Sequence, residues 1–266
     1  MKYIGIRGHR GSGKKSISYL LGNTIEYIIN NKDKGLSDVD YNTSYNTWVD
    51  QIMSDEDVIY QSNLSQVYFD SFGDTLKLFV NMLTGIDSDL IYNGYYKDHT
   101  VVNMKDFTYQ VYEEIPADIK LMTKEELYNS IKKDSKPLAF TKNTYIILRE
   151  FILYFGQEVM QRFFGLNVWV KSLKANKNSM WNYDDINQYK IFTDIKTPSE
   201  VTYILDNQGC IVNLSRPSNH KKAKFDKLSK DGRVDYTIYI GGDLYELKNQ
   251  IFEIAKQIIE KNNGKG

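Results

Sequence analysis

The sequence predicts a three-layer α/β/α fold around a five-stranded, mostly parallel sheet. The first reason is that five short apolar runs alternate along the chain with segments whose apolar residues recur at helical spacing. Parallel strands need this alternation, because each crossover carries a helix back over a face of the sheet. The second reason is length, since 266 residues suffice for one large domain that contains an insertion.

The predicted elements follow this alternation in order. Strands are predicted at residues 2–6, 67–69, 191–194, 209–214 and 235–240. Apolar stripes predict helices over 17–28, 76–83, 144–164 and 244–258. Residues 31–66 are polar and are interpreted as a loop-rich connection. Residues 86–142 have weak periodicity, so they are predicted to form an insertion or lid-like subdomain within a single domain of residues 1–266.

Composition limits the classes of function. Basic and acidic residues balance at 34 each, so nothing suggests a general nucleic-acid or membrane-surface binder. The single cysteine, Cys210, excludes an internal disulfide and most cysteine metal sites. No signal peptide or membrane-spanning apolar run is visible. We therefore expect a soluble protein of the cytoplasm, and the sequence leaves open whether it is a monomer or a homodimer.

A glycine-rich segment links the first predicted strand to the first helix. Residues 8–16 read GHRGSGKKS, and the apolar stripe of the helix begins at Ile17. Glycines let the backbone approach a ligand closely, and the N-terminus of the helix adds a positive dipole end. This context predicts a phosphate-binding loop built from Gly8, Gly11, Ser12, Gly13, Lys14, Lys15 and Ser16. The alternative is a glycine-rich turn that binds nothing.

Polar residues follow several predicted strands. Asp194 ends the strand at 191–194, where a carboxylate could orient Mg²⁺. The alternative is a solvent-facing strand end. Because ligands bind at the carboxyl ends of parallel strands, residues 11–16, residues 71–77, Asp194 and Arg216 are expected at one rim.

Arg149 and Gly156 lie seven residues apart in the helix predicted at 144–164, so they are expected to share a face. A glycine inside a helix costs about 1 kcal/mol relative to alanine, so it usually has a specific reason. Contact with a ligand and close helix packing are both open.

These motifs together resemble those of the bacteriophage deoxynucleoside monophosphate kinases, a P-loop family. Residues 72–77 (FGDTLK) are similar to the family's Phe-Ala-Asp-Pro-Leu-Lys block, and residues 149–158 resemble its Arg-x-x-Leu-x-x-x-Gly-Thr-Glu/Asp helix. Asp194, Lys196 and Glu200 match Asp-x-Arg-x-x-x-Glu, and residues 215–217 match an Arg-Pro turn. Residues 235–244 look like the family's final strand and turn.

The resemblance implies a kinase that uses ATP and Mg²⁺ to phosphorylate deoxynucleoside monophosphates. By that resemblance, Lys14, Asp194 and Arg216 are catalytic, and Ser16 and Asp194 hold the metal ion. The implied residues around the monophosphate and its acceptor side are Lys77, Arg149, Gly156, Gln157, Trp169, Lys196 and Glu200. The basic segment 216–233 takes the place of a closing lid.

The sequence also departs from the family pattern. Lys196 stands in place of an arginine, Gln157 in place of a threonine and Thr75 in place of a proline. A lysine cannot make the bidentate contact of an arginine. Two rival functions stay open: another small-acceptor kinase, such as dephospho-coenzyme A kinase, and a nucleotide-binding protein whose catalytic residues have decayed.

Overall fold

The computed structural model describes residues 1–9, 11–31, 43–50, 64–123, 125–127, 144–176, 188–216 and 234–263, without the side chains of residues 157, 158, 176 and 263. The chain divides into two compact units. Unit 1 comprises residues 1–72 and 176–266, and unit 2 comprises residues 73–175. Within the described ranges, no helix is both long and apolar enough to cross a membrane.

Unit 1 contains all five predicted strands. Its strands are β1 (Lys2–Gly8), β2 (Val67–Asp70), β6 (Tyr189–Ile195), β7 (Cys210–Ser215) and β8 (Tyr236–Tyr239). They form one sheet in the order β2-β6-β1-β7-β8, and every pairing is parallel. The predicted five-stranded α/β sheet is therefore confirmed.

Helices cover both faces of this sheet. Helices α1 (Lys14–Asn31) and α9 (Leu244–Asn263) bury an aliphatic core against one face, including Ile4, Ile25 and Ile258. On the other face, the rings of Tyr3 and Phe192 contact Tyr203 of α8 (Pro198–Asp206). The arrangement is the three-layer α/β/α fold that the alternating pattern predicted.

Unit 2 has its own small sheet. Strands β3 (Thr100–Asn103), β4 (Tyr109–Val111) and β5 (Tyr145–Ile147) pair antiparallel in the order β4-β3-β5. Its helices include α2 (Asp74–Thr84), α3 (Ser88–Tyr92), α4 (Gly94–His99), α5 (Leu148–Tyr154), α6 (Gln161–Phe164) and α7 (Val168–Asn176), which runs one residue into unit 1.

The segment predicted as an insertion, residues 86–142, belongs to unit 2. Residues from α2, β3, β5 and α5 share one apolar core, which includes Val80, Val102, Ile146 and Phe151. This core ties the segments before and after 86–142 to the insertion itself. Unit 2, which contains this core, runs from Gly73 to Ala175.

The single helix predicted over residues 144–164 was wrong in detail. Residues 145–147 form β5, and α5 passes into a π-helix at Phe155–Met160 before α6. A π-helix has i→i+5 hydrogen bonds, so it rotates every later side chain away from the 3.6-residue pattern. Leu148 is fully buried, whereas Phe163, fifteen residues later, is 76% exposed.

Candidate functional site

The glycine-rich loop connects β1 to α1 through two left-handed glycines. Gly8 is the last residue of β1, and Lys14 is the first residue of α1. Gly11 and Gly13 have φ angles of 75° and 73°, which L side chains rarely adopt, so glycine is required at both positions. The loop therefore ends at the N-terminus of α1, where the positive end of the helix dipole favours an anion.

Lys14 folds back over this loop. Its Nζ donates to the carbonyl oxygens of Gly8 at 3.1 Å and His9 at 2.8 Å. It also lies 3.9 Å from Oδ1 of Asp194, on the neighbouring strand β6. Burial lowers the pKa of Lys14, and the Asp194 carboxylate opposes that shift. The structure thus brings together the lysine and the carboxylate that the sequence predicted at this rim.

A bulge in β6 determines where Asp194 lies. Gly5 of β1 pairs with Phe192 and Arg7 pairs with Ile195, so two residues of β6, Thr193 and Asp194, lie opposite one residue of β1. Such an extra residue changes the direction of the side chains around it. Oδ1 of Asp194 is buried and forms no hydrogen bond with any residue that the structure describes.

Lys196 and Glu200 are both close to this carboxylate in the fold. Lys196 Nζ forms an ion pair with Asp194 Oδ2 at 2.5 Å. Glu200 is buried, and its Oε2 accepts hydrogen bonds from the backbone N–H groups of Lys196 and Thr197. With Thr197 it forms the capping box of α8. The Glu200 carboxylate therefore has a structural role in this helix end, and its role toward an acceptor stays a prediction.

The other predicted residues of unit 1 differ in exposure. Ser12 is buried, and its N–H donates to the His9 carbonyl at 3.2 Å within the loop. Lys15 and Ser16 are exposed in the first turn of α1. Arg216 is exposed directly after β7, at a carboxyl end of the sheet. The rest of the predicted lid, residues 217–233, lies outside the described residues.

In unit 2, the guanidinium of Arg149 is bound to Asp98. Arg149 Nε donates to Asp98 Oδ1, and Nη2 donates to Asp98 Oδ2 at 2.7 Å. Nη2 also donates to the carbonyl oxygen of Gly94 at 2.9 Å. The Asp98 contact raises the pKa of Arg149 above its ordinary value. The bidentate edge of the guanidinium is thus engaged by a carboxylate of the chain itself.

Lys77 and Trp169, also in unit 2, have defined surroundings as well. Lys77 Nζ lies 2.8 Å from Asp74 Oδ1 and 4.5 Å from the centre of the Tyr92 ring. Trp169 is buried on α7. The side chain of Gln157 lies outside the described residues.

Gly156 is buried in the π-helix and faces a leucine of α2. A Cβ atom at this position would lie 2.5 Å from Cδ2 of Leu76. Of the two explanations left open by the sequence, this contact favours close helix packing. It does not favour contact of Gly156 with a ligand.

We expect Gly156→Ala to destabilise the protein. The new methyl group must displace a terminal methyl of Leu76, and overpacking of this kind costs about 1–3 kcal/mol. Because a leucine end can rotate, we expect a value near the lower limit. Urea unfolding of Gly156→Ala, Leu76→Ala and the double variant measures the effect. The loss of unfolding free energy in the double variant should be smaller than the sum of the two single losses.

A matched control for this series is Gly94→Ala. Gly94 is the first residue of α4, and nothing lies within 4 Å of a Cβ built there. It should be neutral or slightly stabilising, because alanine is the better helix former. Equal stability of Gly156→Ala and wild type would contradict the packing explanation.

Sequence reasoning missed the partners of Lys77 and Arg149. Asp74 lies three residues before Lys77, a spacing typical of helical ion pairs, so this partner was accessible from the sequence. Asp98 was not, because α4 lies in the weakly periodic segment and its contact with Arg149 joins residues far apart in the chain.

Comparison with models of known protein families and with curated proteins found no match for this chain. A proposal for its function must therefore rest on the loop, the charged groups around it and the motif resemblance.

Proposed function

We propose that this protein is a kinase that transfers the γ-phosphoryl group of ATP to a deoxynucleoside 5′-monophosphate. The observation that carries the proposal is Lys14, which lies over a loop with two left-handed glycines and 3.9 Å from Asp194. Loop amides, a lysine and a strand-end carboxylate are the groups that P-loop enzymes use around nucleotide phosphates.

The loop would act mainly by positioning the phosphates. Phosphoryl transfer needs little covalent participation from the protein, and it depends on in-line geometry and on neutralisation of the spreading negative charge. The N–H groups of the loop and the α1 terminus would bind phosphate oxygens, and Lys14 would exchange its two backbone carbonyl contacts for them. Arg216, exposed at the same edge of the sheet, would supply a further cation.

The residues present fit a Mg²⁺ ion. Asp194 offers a buried carboxylate oxygen without a hydrogen-bond donor among the described residues, and Ser16 offers a hydroxyl in the first turn of α1. Oxygen ligands of this kind, completed by water and substrate phosphates, suit Mg²⁺. When bound, the ion would neutralise charge on the phosphates.

Lys77 and Arg149 would bind the phosphate of the acceptor, as the motif resemblance implies. Both are cations of unit 2 with side chains that are partly exposed. The proposal includes no nucleic-acid partner and places the reaction in the cytoplasm, which is the host cytoplasm for a phage-encoded enzyme.

Two contacts favour a second candidate, a nucleotide-binding protein without turnover. The Lys196 ammonium is paired with Asp194, and Glu200 is engaged in a helix cap. Both contacts reduce the charge available for catalysis.

A coupled assay of ADP release tests the proposal. The acceptors are dAMP, dCMP, dGMP, dTMP, the four ribonucleoside monophosphates and dephospho-coenzyme A, each with and without Mg²⁺. We expect Mg²⁺-dependent ADP release with at least one deoxynucleoside monophosphate. ATP binding without ADP release from any acceptor would support the second candidate, and release with dephospho-coenzyme A alone would identify a different kinase.

A further inference from the structure

Two of the three nitrogens of the Arg149 guanidinium group, Nε and Nη2, donate hydrogen bonds to described residues. Nε and Nη2 donate to the two carboxylate oxygens of Asp98, and the second N–H of Nη2 serves the Gly94 carbonyl. Within the described residues, no hydrogen bond from Nη1 is recorded. The plane of the guanidinium is therefore fixed, and the two N–H groups of Nη1 donate to none of the described residues.

The two acceptors of Arg149 lie on a single short helix. Gly94 and Asp98 are four residues apart in α4, so they face the same side of it. Asn93 caps this helix, because its side chain accepts a hydrogen bond from Tyr95 N. Three hydrogen bonds to this one helix thus hold the long arginine side chain.

We propose that Asp98 is a positioning residue, which holds the Arg149 guanidinium so that Nη1 donates to the phosphate of the acceptor. This inference rests on the proposed function. A guanidinium that is already oriented loses less conformational entropy when it binds a phosphate. Carboxylates that orient metal-binding side chains affect metal affinity or activity by about 10- to 100-fold, and we expect an effect at the lower end of that range for Asp98.

The contact between Asp98 and Arg149 could instead weaken binding of the acceptor. If Asp98 instead competes with the phosphate for the bidentate edge of Arg149, the acceptor must displace it, and removal of its charge would tighten acceptor binding. The hydrogen bonds of Asp98 favour positioning, because they engage Nε and Nη2, so a phosphate can bind at Nη1 while Asp98 stays in place.

Asp98→Asn separates the two possibilities. The amide has the shape of the carboxylate but presents an NH₂ group to donors of the guanidinium, so Arg149 should lose its fixed orientation. We expect the KM for the monophosphate to rise about tenfold, with kcat and the KM for ATP within about twofold of wild type. Asp98→Glu should recover part of the loss.

Asp106→Asn is the matched control. Asp106 is an exposed carboxylate of unit 2 that accepts hydrogen bonds from Thr108. This variant should have wild-type kinetics. Melting temperatures of all variants are measured alongside, because a purely structural role of Asp98 would lower the melting temperature and leave the KM of the folded enzyme unchanged.

Calorimetric titration with dAMP, dCMP, dGMP and dTMP makes the test independent of turnover. A wild-type protein that binds a monophosphate without producing ADP would refute the kinase proposal, yet weaker binding by Asp98→Asn would still support positioning. Equal or tighter binding by Asp98→Asn would overturn the inference. Absence of monophosphate binding by the wild type would overturn it as well.

Discussion

Replacement of Lys14 by alanine is expected to reduce kcat by about 10²- to 10³-fold, which is the usual effect of removing one donor that stabilises a transition state. In the structure Lys14 Nζ contacts the Gly8 and His9 carbonyls and approaches Asp194. The variant loses two hydrogen bonds to loop carbonyls, so the free energy of unfolding should change by only about 1 kcal/mol.

The control for this variant is Lys256→Ala, which removes an exposed ammonium from α9. Steady-state kinetics and thermal unfolding are measured for both proteins. Turnover of Lys14→Ala within a few-fold of wild type would refute the role of this lysine. A large loss of stability would mean that Lys14 supports the loop structure itself.

Asp194→Asn is expected to reduce kcat by about 10²-fold and to change the KM for the monophosphate little. The amide keeps the shape of the side chain but removes the charge that lies between the ammonium groups of Lys14 and Lys196. It also weakens an oxygen ligand for Mg²⁺, so the Mg²⁺ concentration for half-maximal rate should rise.

Asp206→Asn, an exposed change at the end of α8, is the matched control. Titration of the rate with Mg²⁺ for both variants and wild type is the measurement. An unchanged rate with an unchanged Mg²⁺ requirement in Asp194→Asn would show that Asp194 is a strand end without a catalytic role.

Patterns local in sequence predicted most of unit 1. The strand runs and the stripe from Ile17 to Ile28 have the periods that buried strands and helices require, and the five-stranded parallel sheet followed from their alternation. Lys14 and Asp194 could be placed at one rim because the carboxyl ends of parallel strands share an edge.

The errors arose where the backbone departs from regular periods or where contacts are distant in sequence. The π-helix at Phe155–Met160 changes the helical period, and no local sequence pattern predicted it. The bulge at Thr193 and Asp194 is visible only from the register with β1. Asp98 meets Arg149 through tertiary packing of α4 and α5.

Glu200 shows a different limit. Thr197-Pro198-Ser199-Glu200 is a capping-box sequence with proline at the first helical position, a local signal that predicts the contact of Glu200 with the start of α8. The sequence interpretation assigned Glu200 to the acceptor side because of its place in a family motif. These four consecutive residues predict the helix cap, whereas the role of Glu200 toward an acceptor stays a prediction.

The strand order has a consequence for synthesis on the ribosome. In the sheet, β1 lies between β6 and β7, and β2 pairs with β6. Both β6 and β7 follow unit 2 in the chain. Unit 2 is contiguous from Gly73 to Ala175, so its core residues emerge together. Domains generally fold as units in the order in which they are made. The first strand and the phosphate-binding loop therefore have no sheet to join until Tyr189 and the residues after it have been translated.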